Sequence, residues 1–362
     1  MSNQEKGRWI SRRSVLLGAA SGVIAAPAGA FGLQAFPARP IGYDLSDAPI
    51  CSTSGEAAPL TGAPRKVKLS WNATSVCSVQ VPVAVDYDFF KKQNLDVELV
   101  NFSGSTDQLL EAIATGKSDA GVGMALRWLK PLEQGFDVKI VAGTHGGCLR
   151  AIAPTKSEIS KVTDLKGKVV AIDDQAGPGK NFFSIQLAKA GIDPTKDLEW
   201  KQYPANLVRL AVEKGEAQAA LASDPLAHAF LKDGEFKEIG SNLDGIYRSV
   251  SCCIVGVRGS LIREEPQVAR ALTQALLDAA EFSSKNPEKA AKSFLPYAPK
   301  IVTEEDIQAL IKYHTHDHHP IGAQLKNELK LYADDLKAVS VIKPSTDTSK
   351  FAEKIYADVF RV

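Results

Sequence analysis

The sequence predicts an α/β fold in which two units each hold a mainly parallel sheet flanked by helices. One observation is that short apolar strands alternate with amphipathic helices from Lys66 onwards, and another is that the same order starts again after Lys161. The third is that the chain has a helical pattern from Glu264 to its end. Alternating strands and helices are typical of parallel sheets, because each parallel connection needs a long crossover.

The elements follow one another in β-α-β order in both units. Strands are indicated by short alternating or apolar runs, which occur at 66–71, 95–100, 119–123, 138–142, 168–172, 198–202, 218–221 and 250–257. Helices are indicated by a 3.6-residue period and by their end signals, which occur at 83–93, 103–113, 179–190, 207–214, 266–283, 287–294, 304–314 and 323–336. The last four helices form a C-terminal helical segment.

A short internal correspondence supports the two-unit layout. Residues 112–122 align with residues 211–221, and both segments contain a helix end, a glycine, a polar turn and a strand of small residues. Gly116 and Gly215 suit the left-handed conformation that ends many helices. The two units are therefore expected to share a layout, although any α-to-β connection also uses glycine.

Length and composition limit the function classes. The 362 residues suffice for two domains, and 44% hydrophobic with 23% charged residues is typical of a folded protein. A formal net charge of +1 provides no overall field for nucleic acid or an acidic membrane. Charge selectivity must therefore be local to a site, and no segment after the N-terminus is apolar enough to span a bilayer.

The N-terminal residues 1–30 are typical of a signal peptide. Arg12 and Arg13 precede an apolar run at 16–26, and small residues at 28–30 suit a signal peptidase. The arginine pair predicts twin-arginine export, with Sec export as the alternative because Val15 stands where Phe is commoner. Residues 31–65 are proline-rich and predict a flexible tether.

Four stretches carry a resemblance to a known family. Residues 89–98, 112–121, 162–170 and 208–220 resemble, in this order, the type II periplasmic binding proteins of the nitrate/sulfonate/taurine (NMT1/THI5-like) family. Asn94 departs from that pattern, since glycine is usual there.

The resemblance implies two lobes joined by crossover strands near 150–153 and 250–255. Lobe 1 would span 66–153 and lobe 2 would span 154–250, and residues 251–362 would return to lobe 1. A ligand would bind in the cleft as the lobes close like a Venus flytrap.

The resemblance also implies a function. The chain is expected to be a monomeric periplasmic substrate-binding component of an ABC importer, with a permease and an ATPase as partners. Its solute would be a small anion such as nitrate, a sulfonate or taurine, and no cofactor is expected. The alternatives are a pyrimidine or thiamine-precursor binding protein, a THI5-like enzyme, a sensor subunit, and a metal or soft-ligand binder that uses Cys and His.

An enzyme is the less favoured alternative. The synthases of this fold carry a CCCFC-type iron motif, of which only Cys252 and Cys253 are present. No nucleophile elbow, zinc-protease motif or Walker loop occurs in the sequence.

Two loops that precede helices are the main candidates for ligand binding, because helix N-termini favour anions. The first loop offers hydroxyls and free amides, although plain N-capping is an alternative; its residues are Ser103, Gly104, Ser105 and Thr106. The second loop combines glycines that permit close backbone approach with one positive charge; its residues are Asp174, Gly177, Gly179, Lys180 and Asn181. An aspartate in this loop suits a ligand amine.

Further candidates lie at strand ends, where ligands collect in α/β folds. They are Trp71, Asn72, Cys77, Met124, His145 and Asp224. Trp71 serves either as an apolar wall of the cleft or as core packing, and the sequence leaves both interpretations open.

The cysteines allow several interpretations. Cys148 could form a disulfide with Cys252, Cys253 or Cys77. Alternatively, Cys77, His145 and Cys148 could form a soft metal site, or the thiols could be inert packing. The sequence favours packing or a disulfide. Because neighbouring strand residues face opposite sides, Cys252 and Cys253 are not expected to share one site.

The six residues 314–319 include four histidines. Such a tract can bind Zn or Ni weakly. It also stands at a predicted helix end, before Pro320, where histidine is favourable beside the negative end of the helix dipole. The sequence favours this second interpretation, a solvated helix end.

Overall fold

The strands form two five-stranded sheets in the computed structural model, which describes residues 58–102 and 106–361. The strands are β1 (Arg65–Trp71), β2 (Leu95–Asn101), β3 (Ala120–Met124), β4 (Val138–His145), β5 (Leu149–Pro154), β6 (Val169–Ile172), β7 (Glu199–Gln202), β8 (Ala219–Ser223), β9 (Phe236–Ser241) and β10 (Cys253–Arg258). The predicted signal peptide and most of the predicted tether lie outside the described residues, as do Ser103, Gly104, Ser105 and the side chain of Thr106.

Helices cover both sheets. They are α1 (Gln80–Asp86), α2 (Phe89–Lys92), α3 (Thr106–Ala114), α4 (Ala125–Glu133), α5 (Pro178–Lys189), α6 (Val208–Glu213), α7 (Leu226–Leu231), α8 (Gly259–Glu264), α9 (Pro266–Lys285), α10 (Pro287–Phe294), α11 (Glu304–Tyr313), α12 (Gly322–Ala338) and α13 (Thr348–Ile355). No described helix combines the length and apolar character needed to cross a membrane.

The two sheets have the same topology. Lobe 1 has the strand order β2-β1-β3-β10-β4, and lobe 2 has the order β7-β6-β8-β5-β9. In each sheet the fourth strand is antiparallel to both of its neighbours, and the first three strands are parallel. β3 and β8 hold equivalent places, which agrees with the internal correspondence. The predicted α/β fold with two mainly parallel sheets is confirmed.

The fourth strand of each sheet enters from the other lobe. The chain leaves β4 at His145 and enters β5 at Leu149, so three residues make the first crossover. At ~3.5 Å per residue, this crossover spans at most about 14 Å. The carboxyl end of β4 therefore lies beside the edge of lobe 2 where β5 starts and β8 ends. The carboxyl edges of both sheets face a common region.

The lobe 1 core packs against α9, the longest described helix. Val67 and Leu69 of β1 share one apolar cluster with Leu272 and Leu276 of α9. Each fully buried leucine stabilises the fold by roughly 1.5–3 kcal/mol. The central strands β3 and β10 are buried along almost their whole length and are nearly all apolar, as in sheets that helices cover on both faces, whereas β1 and β2 also carry charged residues.

Several element boundaries differ from the sequence prediction. The helix predicted at 83–93 is broken into α1 and α2, because Asp88 adopts a left-handed φ of 60°. The strand predicted from residue 250 begins only at Cys253. The crossover strand expected near 150–153 corresponds to β5, whereas no separate prediction was made for α4, α7, α8, α13 or β9; α4 contains Pro131, which obscures its helical pattern.

Candidate functional site

The gap between the carboxyl edges of the two sheets is filled by side chains. It leaves no room for a water molecule. Its lining is Met124, Leu126, Leu149, Pro178, Phe182, Asn242, Cys252 and Tyr332. Of the expected ligand-binding residues that the structure describes, only Met124 lines this gap.

A larger cavity opens beside this gap, between α4 of lobe 1 and α5 of lobe 2. Its volume is about 470 Å³, which is within the range of small-molecule sites. Three basic side chains line it, Arg127, Lys130 and Lys180, and no carboxylate among the described residues does. The remaining lining is Leu126, Pro131, Gln134, Gln175, Ala176, Asn181, Ser184, Pro194, Thr195, Trp200, Val339 and Val341.

The predicted glycine loop forms one wall of this cavity. The Asp174 carboxylate accepts a hydrogen bond from the Ala176 amide at 2.9 Å, which closes a tight turn. A Cβ on Gly177 would lie 2.8 Å from the Asp174 Cβ, so only glycine fits there. Gly177 is the N-cap of α5, whose first amides lack partners within the helix. Gly179 lies in the first turn and is buried.

Arg127 links the two lobes at the cavity. Its side chain is buried, with 5% of its surface exposed, and its guanidinium lies 3.9 Å from the Asp174 carboxylate of lobe 2. The same guanidinium lies over the Phe102 ring at 5.6 Å, next to the predicted serine loop. Burial raises the pKa of the neighbouring Asp173, although the charge of Arg127 acts in the opposite direction.

Lys180 and Asn181 face the cavity from lobe 2. The Lys180 ammonium donates to the Gln175 side-chain oxygen at 2.8 Å. Burial lowers the pKa of Lys180, and the nearby Asp174 charge offsets part of that effect. The Asn181 amide donates to the Leu126 carbonyl of lobe 1 at 3.3 Å, which joins the two lobes directly.

Three expected site residues have internal partners. The Trp71 ring lies in the lobe 1 core, edge-on to Tyr297 with centroids 4.9 Å apart. The Asn72 side-chain oxygen accepts from the Thr74 hydroxyl at 3.1 Å and so stabilises a turn. The Asp224 carboxylate is buried and pairs with Arg150 at 2.9 Å.

Cys77 and His145 lie in a separate buried cluster with three other cysteines. The Cys148 and Cys252 sulfurs are 3.5 Å apart as free thiols, and no described cysteine forms a disulfide. Burial would raise the pKa of Cys77, but hydrogen bonds from the other three thiols hold it well below its usual value. Both Cys252 and Cys253 form hydrogen bonds with the Cys77 thiol, so the expectation that these two cysteines do not share one site is wrong. The reason is that Cys252 precedes β10, so the two side chains do not alternate along one strand.

The histidine tract is not a solvated helix end. His314 and His316 are buried, with 4% and 2% of their surfaces exposed. Their rings lie beside that of His145, with centroids 5.8 Å and 4.6 Å away. The C-terminal segment returns to the end of β4, where Thr315 pairs with Gly146, and this long-range contact buries the tract.

The sequence did not reveal Arg127, Lys130 or Trp200 as cavity residues. Arg127 and Lys130 belong to α4, which was not predicted. The available signal was a pair of basic residues spaced by one helical turn in an otherwise apolar stretch at 124–132. Trp200 lies on β7, an edge strand without a clear alternation of apolar residues.

Comparisons with known proteins agree with this architecture. The family model described as "NMT1/THI5 like" matches residues 78–290, more than half of the chain. A curated relative from Saccharomyces cerevisiae, 4-amino-5-hydroxymethyl-2-methylpyrimidine phosphate synthase THI13, is 22% identical over 252 residues, which cover 64% of this chain and 71% of the relative.

Solved structures share the fold. The alkanesulfonate-binding protein SsuA from Xanthomonas axonopodis pv. citri, bound to MOPS, has a TM-score of 0.67 and 18% identity, with 82% of this chain and 99% of that chain covered. The periplasmic nitrate-binding protein NrtA from Synechocystis PCC 6803 has a TM-score of 0.66 and 16% identity, with 83% and 89% covered. The extent of the family match and the two-lobed fold together show that the chain belongs to the NMT1/THI5-like family.

Proposed function

We propose that this protein is the substrate-binding component of an ABC importer and that it captures a small anion between its two lobes. Family membership and the fold shared with sulfonate-binding and nitrate-binding proteins support the transport role. The observation that carries the choice of an anion is the cavity between α4 and α5, which Arg127, Lys130 and Lys180 line without any described carboxylate. The partners of Lys130 and Arg127, Glu133 and Asp174, lie outside this lining.

The proposed binding step uses groups from both lobes. Arg127 approaches the cavity from lobe 1, and Lys180 with the first amides of α5 approaches it from lobe 2. A bound oxyanion would accept from both sides and hold the lobes together, as in other hinge closures. Because Arg127 is buried, its attraction for the anion is stronger than in bulk water.

We propose a binder rather than an enzyme. The solved SsuA and NrtA structures, which share the fold, are named as binding proteins, and no histidine, cysteine or carboxylate of the described residues lines the cavity. A permease and its ATPase are the proposed partners of the closed form. Chemical conversion of a bound solute by the purified protein would refute the proposal that it is a binder.

Export to the periplasm, by the twin-arginine pathway, is part of the proposal. It depends on the arginine pair Arg12 and Arg13 and on the apolar run that follows. Replacing both arginines with lysine should leave the protein in the cytoplasmic fraction of its host. Unchanged export of that double variant would favour the Sec pathway.

A thermal-shift screen followed by calorimetry tests the anion proposal. Nitrate, bicarbonate, taurine and alkanesulfonates form the panel, with choline as the cationic control. A ligand that binds only the folded state raises Tm, and we expect at least one anion and not choline to do so. Lys180→Gln should reduce the affinity for that anion ~10-fold or more, since a hydrogen bond to a charged group contributes about 1.5–3 kcal/mol.

Lys350→Gln is the matched control, because Lys350 is exposed on α13 and lies outside the cavity lining. It should bind the anion as tightly as the wild type. If no anion of the panel raises Tm, or if both lysine variants bind equally well, the proposed site is wrong.

A phosphorylated pyrimidine is the second candidate solute. The curated relative is named as a pyrimidine phosphate synthase, and Trp200 lines the cavity, where an aromatic ring could stack on a base. Including a pyrimidine phosphate and inorganic phosphate in the same panel separates the candidates. A response to the pyrimidine phosphate alone would favour this second candidate.

A further inference from the structure

A second group of chemically active side chains is buried at the carboxyl edge of lobe 1. Cys77, His145 and Cys253 each offer one donor atom, and these atoms all lie within 4.8 Å of one another. His314 and His316 form a second such set with His145 at the same distance. All five residues are buried and none lines the anion cavity.

His145 presents one nitrogen that is ready to bind a ligand. Its Nδ1 lies 3.0 Å from the Gly146 carbonyl oxygen. A carbonyl oxygen only accepts, so Nδ1 carries the proton and the lone pair belongs to Nε2. Nε2 is buried and has no hydrogen-bond partner among the described residues. Metal-binding histidines commonly have this arrangement, in which a backbone carbonyl orients the ring.

His314 has the complementary arrangement. Its Nε2 lies 2.8 Å from the buried Asp224 carboxylate, which leaves Nδ1 as the acceptor nitrogen. That Nδ1 is also buried without a partner in the described part of the chain, and so is Nε2 of His316. A carboxylate that holds the far side of an imidazole is a frequent outer partner of a metal-bound histidine.

Three unsatisfied buried nitrogens beside two thiols are unusual for a packed core. Buried polar groups are nearly always hydrogen-bonded, because each unpaired one costs about 1–3 kcal/mol. Inert packing, which together with a disulfide was the interpretation that the sequence favoured, explains the thiols but not the three nitrogens. A cation held at one set would accept the lone pairs of its donors, and the two sets share His145.

We propose that Cys77, His145 and Cys253 bind a thiophilic d¹⁰ metal ion, Zn²⁺ or Cu⁺, with His316 as the neighbouring ligand. Two thiolates and imidazole nitrogens are the donors that these ions prefer, whereas Mg²⁺ and Ca²⁺ require oxygen ligands. These four proposed ligands do not form a contiguous cysteine motif, because each comes from a different segment of the chain.

The position of these segments assigns the metal a role at the hinge. His145 ends β4 immediately before the first crossover, and Cys253 begins β10 immediately after the second. Cys77 follows β1, and the histidines follow α11. An ion bound here joins the lobe 1 ends of both crossovers to the C-terminal segment. It therefore stabilises the hinge and leaves the anion cavity free.

Metal analysis of the full chain tests this proposal. The protein is purified under reducing conditions without chelator, and Zn²⁺ and Cu⁺ are then titrated separately against a chromophoric chelator. We expect one ion per chain, a higher Tm in the loaded form, and thiolate-to-metal charge-transfer absorption when Co²⁺ replaces Zn²⁺. The metal content of the protein as purified identifies which ion it carries, because relative affinity alone does not.

Variants localise the site. Cys77→Ser and His145→Gln should each weaken metal binding ~100-fold or more, since even changes to outer partners reduce affinity 10–100-fold. His228→Gln is the control, because His228 pairs with Asp306 away from the cluster. The proposal would be overturned if the reduced wild-type protein bound less than one metal ion per chain, or if its Co²⁺ form showed no thiolate bands. Both measurements use the wild type, so they remain decisive even if the variants fail to fold. Anion binding is measured separately, so either proposal can fail alone.

Discussion

At the scale of residues, burial decides how each charged group of the cavity behaves. Lys180 is enclosed by α5 and the loop before it, so its charged form is less favourable than in water. Arg127 remains charged because the guanidinium pKa is far above neutral. The two cations therefore respond differently to pH, and any pH dependence of anion affinity in this range should come from Lys180.

Anion affinity should fall as pH rises above neutral. Burial lowers the pKa of Lys180 below the usual 10.5, so the ammonium that binds the anion loses its proton earlier than an exposed lysine would. The stability of the unliganded protein should instead increase with pH in this range. Between the pKa of Lys180 in the folded protein and its pKa in the unfolded chain, the unfolded chain binds more protons, so the free energy of unfolding rises with pH. Calorimetry between neutral pH and pH ~10 measures the affinity.

Lys180→Arg is the matched variant for this titration. Its guanidinium stays protonated over the whole range, so its affinity should be nearly constant. A flat profile for the wild type, or an equal decline in the arginine variant, would show that Lys180 is not the titrating group.

At the scale of elements, the first crossover depends on conformations that few residues adopt. Gly147 has a φ of +93°, and Cys148, although it carries a Cβ, has a φ of +114°. Gly146 approaches the second crossover so closely that a Cβ would lie 2.9 Å from the Val250 carbonyl oxygen. Backbone strain of this kind occurs at functional sites and hinges, where the surrounding structure maintains it.

Gly147→Ala should destabilise the fold by about 3 kcal/mol. The left-handed backbone costs roughly 1–2 kcal/mol for a residue with a Cβ. The new methyl would also meet the Leu243 side chain at 2.8 Å, and overpacking adds ~1–3 kcal/mol. The free energy of unfolding in guanidinium chloride measures the loss.

Gly191→Ala separates the two contributions. Gly191 has a φ of +78°, but nothing lies within 4 Å of the position that a Cβ would take there, so only the backbone cost applies. It should cost ~1–2 kcal/mol. Equal losses in the two alanine variants would mean that Gly147 is required for its backbone conformation alone.

At the scale of the whole molecule, the C-terminal helices hold the two lobes together. Lys232 of α7 pairs with Asp306 of α11 at 2.9 Å, and Lys189 of α5 pairs with Asp335 of α12 at 2.7 Å. Both lysines belong to lobe 2, whereas α11 packs on the core of lobe 1 and α12 contacts α4 of lobe 1. These contacts favour the closed arrangement without any ligand.

Removing both lysine charges should shift the unliganded protein towards an open form. Each half-exposed pair contributes at most about 1 kcal/mol, so Lys189→Gln with Lys232→Gln should raise the open fraction several-fold. Small-angle X-ray scattering would record a larger radius of gyration, and a bound anion should restore the wild-type value.

Lys285→Gln is the control for closure, since Lys285 pairs with Glu281 within α9. It should leave the radius of gyration unchanged. If the double variant scatters like the wild type, the C-terminal helices do not determine the closed arrangement.

Much of the fold follows from local patterns, and less of the site does. The alternation at 66–71 and the helix signals at 266–283 predict β1 and α9 closely, because burial on one face repeats at the period of the element. The loop at 173–181 was also predicted, since glycines before a helix indicate close backbone approach. Arg127 was missed because its helix contains Pro131 and lacks a clear end signal.

The sequence by itself determined the α/β order, the family and the glycine loop before α5, because these depend on neighbours along the chain. Only the tertiary structure decided that Arg127 faces Lys180 across a cavity and that His145 stacks on His316. Such pairs form where the crossovers and the C-terminal segment bring distant residues together. The physical reason is that periodicity specifies which face of an element is buried, whereas long-range packing specifies what that face meets.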